Sequence, residues 1–296
     1  MNTYRLNNVL YKSVTIILHL FAAIIGIICL SVLPYLFDGL SLDFVGYFTE
    51  LKTTVYKLLL IKDLTYQETF REWPILPHVF KYYTASMKIF LSSFVLSIML
   101  AFFIVYILLF VKEKLYRRTK YLFVLFESLP DLLVIICLQQ AVIWFFKKTD
   151  YLLLEIASYG DTNSFGLPVI CLGFSTTFLF VRLLLNQIEE ERKKVYVEFV
   201  QSKGFGRLYV LNRHMLPNIV FTLFQYSKTI VLFMLTGLFL IEFLFNINGL
   251  FSFVKTAMTP EIITIALIYL YVPFFILFKI FDIAVPQILK GGRSGD

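Results

Sequence analysis

Six separate stretches of about twenty or more mainly apolar residues limit what this chain can fold into. They run approximately 13–37, 89–111, 121–146, 167–188, 218–245 and 262–285. A helix needs about 20 such residues to cross hydrocarbon, because every backbone N–H and C=O must be satisfied within the segment itself. Composition agrees with that reading: 59% of the 296 residues are hydrophobic and the mean hydropathy is +0.79, well above a soluble globular protein. The predicted fold class is an all-α polytopic membrane protein of six transmembrane helices, one domain over 1–296. The first span is too long for a cleaved signal peptide and lacks a small-residue cleavage pattern, so it is expected to stay as an anchor. Cys29, Cys137 and Cys171 all lie inside spans, where a thiol acts as a small apolar group, and they imply no disulfide framework.

Orientation follows from where lysine and arginine collect. An even number of spans puts both termini on one side, together with the loops 112–120 and 189–217. The first loop holds Lys112, Lys114, Arg117, Arg118 and Lys120, and the second holds Arg192, Lys193, Lys194, Lys203, Arg207 and Arg213. The short opposite loops carry only Lys147, Lys148 and Lys255. By the positive-inside rule both termini and these basic loops are cytoplasmic. The net charge of +7 is then a consequence of topology, and no nucleic-acid partner is implied. Segment 38–88 falls outside, mixes acids, bases and apolar runs such as VYKLLLI, and predicts short helices on the outer membrane face.

The sequence shows no catalytic signature. There is no HExxH, no G-x-S-x-G elbow and no Cys/His cluster, and His19, His78 and His214 sit in three different compartments. Nor is there a G-x4-G-K-[ST] loop to cradle phosphates, so ATP-driven work would need a separate ATPase subunit. The polar stretch EFVQSKGFGRLYVLNRHMLPN, 198–218, interrupts two oily runs. From Gln187 to Val200 acids precede bases at helical spacing, with Glu189/Lys193 and Glu190/Lys194 as i,i+4 pairs. Gly204 and Gly206 then interrupt the helix, a short helical piece follows, and Pro217 is placed to open the next span at its first turn.

Glu198, Gly204 six positions on, and Leu216-Pro217 resemble the EAA loop of binding-protein-dependent ABC importer permeases, with Phe199 and Val200 in place of two alanines and His214 in place of an isoleucine. YVEFVQSKGFG is similar to a segment of the peptide and nickel permeases through Tyr196, Val197, Lys203 and Gly204. Further resemblances lie at Ser128 to Pro130 and at Glu242, Phe245, Gly249 and Leu250. The similarity covers roughly 121 to the C-terminus, and a long outer segment after the first span is similar to the first permease subunit of these systems. The chain departs from that branch where LPYLFDGLSLD replaces its usual Pro-Gly-Asp-Pro.

The resemblance implies a type I ABC importer transmembrane-domain fold in a prokaryotic plasma (inner) membrane. It further implies a second, related permease subunit, two ATPase subunits and an extracytoplasmic substrate-binding protein. No cofactor would be held by this chain, and Mg-ATP would bind the partner subunits. The coupling helix would cover about 198–207. There Glu198, Lys203 and Arg207 would make polar contacts, Phe199 and Phe205 would fill an apolar pocket, Gly204 would allow close backbone approach, and Leu216 and Pro217 would close the motif. The solute implied is an oligopeptide; a nickel or metal-chelate permease, a secondary transporter and a polytopic membrane enzyme are the alternatives.

Ionisable residues inside spans mark function by default. Asp131 lies eleven residues beyond Lys120 and Lys228 eleven beyond Pro217, each about 16 Å deep on a continuous helix. They are expected to pair and line the pathway, with Glu127 competing for Lys228. Arg182 is expected to snorkel, and Glu242 to anchor the outer end of the fifth span against the loop containing Gly249.

Overall fold

A computed structural model of the chain describes residues 2–60, 64–68, 71–160 and 164–291, and within these the side chains of all but 2–13, 67, 68, 71, 113, 207 and 283–291. Six helices among the described residues are long and apolar enough to cross a membrane. The chain forms two compact units, residues 1–85 with 249–296, and residues 86–248.

The first unit begins with α1 (Asn2–Ser31), which packs on α11 (Pro260–Gly291). Two apolar helices need a polar fastener to fix their register, and Thr264 supplies one by donating to Ser31 Oγ at 2.7 Å. Among its described residues the outer segment contains one complete helix rather than several. A hairpin of β1 (Phe37–Asp38) and β2 (Ser41–Leu42) comes first, closed at Gly39–Leu40, where Gly39 takes φ +61°. Asp43 then caps α2 (Phe44–Leu59) by accepting from the Gly46 N–H at 2.9 Å. A second hairpin follows, β3 (Thr65–Glu68) with β4 (Arg71–Pro74), and the first turns of α3 (Ile75–Leu108) complete the segment. Lys57 of α2 reaches Glu261 of α11 at 2.7 Å, and that bond holds the lysine's pKa above its ordinary value. Tyr82 of α3 stacks on Phe253 of α10 (Leu250–Thr256).

The second unit holds the rest of α3, then α4 (Glu113–Glu127), α5 (Asp131–Thr149), α6 (Gly166–Arg192), α7 (Val195–Ser202), α8 (Arg207–Val210) and α9 (Leu216–Leu244). Helix α6 is its centre, packing on α4, α5 and α9. Its spanning window is 67% buried, against 6% for that of α1. Close approach of α3 comes from hydroxyls and a missing side chain. Ser93 and Ser97 donate to the carbonyls of Val169 and Gly173 at 3.1 and 3.0 Å, and a Cβ on Gly173 would stand 3.2 Å from Leu96.

Three predicted spans change. The first ends with α1 at Ser31 rather than at Phe37, which lies in β1. The second starts at Ile75 rather than near 89, because polar residues such as Lys81 and Lys88 lower the apolar content without ending a helix. The third is not continuous over 121–146: Pro130 lacks an N–H and crowds the preceding backbone, so α4 stops at Glu127 and α5 restarts at Asp131.

Candidate functional site

The element predicted to be functional hangs from the end of α6. The helix expected over 187–200 breaks at Lys193–Lys194, where α6 ends and α7 starts in a new direction. Glu191 makes the corner. Its carboxylate is 3% exposed and accepts from Lys194 Nζ and from the Tyr196 hydroxyl, while Asn218 of α9 donates to that hydroxyl at 3.3 Å. Burial, then the bond to Glu191, pushes the Tyr196 pKa up to about 12. Val197 on the same side of α7 is 1% exposed. Glu189 does not pair with Lys193 as the i,i+4 pattern predicts. It instead accepts from Lys120 at 2.7 Å and Tyr116 at 2.9 Å, tying α6 to α4.

The opposite side of this frame is open. Val195 and Phe199 are 80% and 60% exposed, Phe205 and Tyr209 are also exposed, and Glu198 lies among them. Lys203 Nζ sits over the Phe199 ring at 4.5 Å, and Phe205 stacks on Tyr209 with centroids 4.8 Å apart. Gly204 turns the chain between α7 and α8 with φ +85°, and no atom lies within 4 Å of where its Cβ would be. Glycine is present here for its dihedral and not for crowding inside this chain. Arg207 opens α8, but its side chain lies outside the described residues. A π-helical turn, Leu211–Met215, then leads into Leu216, the first residue of α9, and Pro217, the second. A proline there cannot donate back along the helix, and a widened turn just before it accommodates that loss.

The predicted pathway residues are arranged differently from expectation. Glu127 takes Arg182 as its partner at 2.8 Å, so Arg182 does not simply snorkel. Asp131 meets α9 at Gly237, where its Oδ2 would be 3.9 Å from an added Cβ. Lys228 lies nine residues earlier, about 13 Å along that helix, and is exposed. The break at Pro130 removes the continuous helix on which the Asp131–Lys228 pairing was counted. Glu242 is 1% exposed and accepts from Ser86 Oγ on α3 at 2.5 Å. Glu191 was the residue that sequence reasoning missed; it looks like one more acid in a charged run, and only Tyr196, one of the resemblance positions, hinted at its role.

The helical element is thus held on one side and apolar and exposed on the other. The model of the family described as binding-protein-dependent transport system inner membrane component matches residues 5–287. The chain belongs to this family. It is a multi-pass inner-membrane transport component and not an enzyme. Over 98 residues it is 26% identical to the dipeptide transport system permease protein DppB of Lactococcus lactis subsp. cremoris (strain MG1363), a match spanning 33% of this chain and 32% of that relative. The matched stretch is about a third of the relative's length.

Proposed function

We propose that this family member is one of two permease subunits of an ABC importer and that α7, Gly204 and α8 form the contact through which separate ATPases drive it. The observation that supports this most is the division of α7 into two sides. Tyr196 and Val197 are locked to α6 and α9, while Val195, Glu198, Phe199 and Phe205 are presented to solvent. A loop that was merely solvated would have no reason to expose large apolar side chains on an anchored frame. The partners are a second, related permease, two ATPase subunits binding Mg-ATP and an extracytoplasmic binding protein. The solute is an oligopeptide; the dipeptide permease named above supports that class. Glu127 and Asp131 lie toward the solute's path.

Co-purification from native membrane tests this reading. An ATPase pair should travel with the wild-type chain and be lost, or much weakened, with Phe199→Asp. Recovery without any ATPase would overturn it.

A further inference from the structure

Most of α6 is enclosed, yet a stripe of residues four apart remains accessible: Ile170, Phe174, Phe178, Arg182 and Asn186. Arg182 lies ten residues from the end of the helix at Arg192, about 15 Å in. Its side chain is 42% exposed, whereas that of its partner Glu127 is 16% exposed. Glu127 Oε2 and Arg182 Nε are both buried and lack a hydrogen-bond partner among the described residues. An ion pair with two unmet polar atoms and a half-open guanidinium is badly suited to hydrocarbon. It fits a water-filled cavity, where water or a solute group supplies the missing bonds. Helix α4 faces this stripe. Leu115, Leu122 and Leu125 are exposed on α4, Glu127 is mostly covered by its pairing with Arg182, and Phe126, itself partly exposed, stacks on Phe178 of α6 at 5.2 Å.

Resting on the permease reading, we infer that the α4–α6 seam lines the solute path and that Arg182 is a binding point for a carboxylate on the solute, such as the C-terminus of a peptide. A guanidinium has five N–H donors, and Glu127 takes one, from Nη2. The remaining donors match a second carboxylate in the planar geometry that arginine favours. In the empty path Glu127 balances the charge; a passing carboxylate takes over part of that role, and Glu127 faces whatever cationic end the solute carries.

The test uses the transporter assembled with its partners in membrane vesicles, with Cys29, Cys137 and Cys171 replaced by serine or alanine. Single thiols are introduced by Phe178→Cys and Asn186→Cys and exposed to membrane-impermeant thiosulfonates of opposite charge. Both positions should label. The anionic reagent should be favoured at position 178, one turn away on the same helix, and Arg182→Gln should cut that preference about tenfold or more, since at an effective dielectric constant of about 20 even a unit charge ~12 Å away has a tenfold effect. Arg182→Lys should retain most of it, and Glu127→Gln should raise it. Protection of both thiols from both reagents would overturn the path assignment. An unchanged charge preference in Arg182→Gln would overturn the carboxylate site. Absence of co-purifying ATPase would instead sink the permease reading, and the labelling of the chain would remain interpretable by itself.

Discussion

Substitution at Gly204 separates two reasons for a glycine in the proposed coupling turn. The residue has φ +85° and open space where a Cβ would go, so within this chain the cost of a side chain is conformational. Holding an ordinary L-residue at such a left-handed position costs about 1–2 kcal/mol, less for asparagine and more for a β-branched residue. That is a factor of about 5–30 in the population of the native turn. The six spans and the Glu191 corner do not depend on this turn, so membrane insertion and thermal stability should barely change. The affected quantity is affinity for the ATPase subunits, measured by titrating purified ATPase onto nanodisc-held permease. The expected order is Gly204 first, then Gly204→Asn, Gly204→Ala and Gly204→Val, with alanine binding about 5–30-fold weaker than wild type. Asparagine is larger than alanine, which makes the order diagnostic. Should Gly204→Asn bind more weakly than Gly204→Ala, backbone approach by the partner, and not φ, would be the reason for glycine.

Glu191→Gln and Tyr196→Phe should each loosen α7, by about 1–3 kcal/mol for the buried carboxylate, and the double variant should cost less than their sum; amide hydrogen exchange over 195–202 reads this. Tyr196 should ionise late in a spectrophotometric titration, near pH 12. Its folded pKa lies above the unfolded 10.0, so its contribution to stability is complete below about pH 10 and is lost as pH rises toward 12; Tyr196→Phe should abolish that alkaline dependence. Ser97→Ala should cost roughly 0.6 kcal/mol, while Gly173→Leu should separate α3 from α6 and prevent a stable protein from being recovered in detergent.

Much of the fold was legible because the bilayer imposes a strong rule: long apolar runs must be helices, and basic residues gather on one side. Six spans, the basic loops and the Glu198, Gly204, Leu216-Pro217 spacing could all be read along the chain. The residue-level reading of the site was partial. Phe199 and Phe205 were singled out at the proposed coupling element, and the structure leaves both exposed. Glu191 was not recognisable, since its importance lies in burial beneath Lys194 and Tyr196.

The errors have one physical origin. Counting residues along a presumed straight helix gives depth but not direction, and a single kink changes which side chains meet. Pro130 split the third span, leaving Asp131 beside Gly237 and Glu127 beside Arg182. Likewise the i,i+4 pattern at 189–194 described forces within an isolated helix, each worth only about 0.2–0.5 kcal/mol. Packing against α4 gave Glu189 both Lys120 and Tyr116 instead. The sequence by itself determined that this is a six-span membrane protein with a polar, helix-forming loop among its basic residues. Tertiary structure alone decided which charges pair, because pairing depends on how helices distant in sequence approach one another, and one-dimensional spacing carries no record of that.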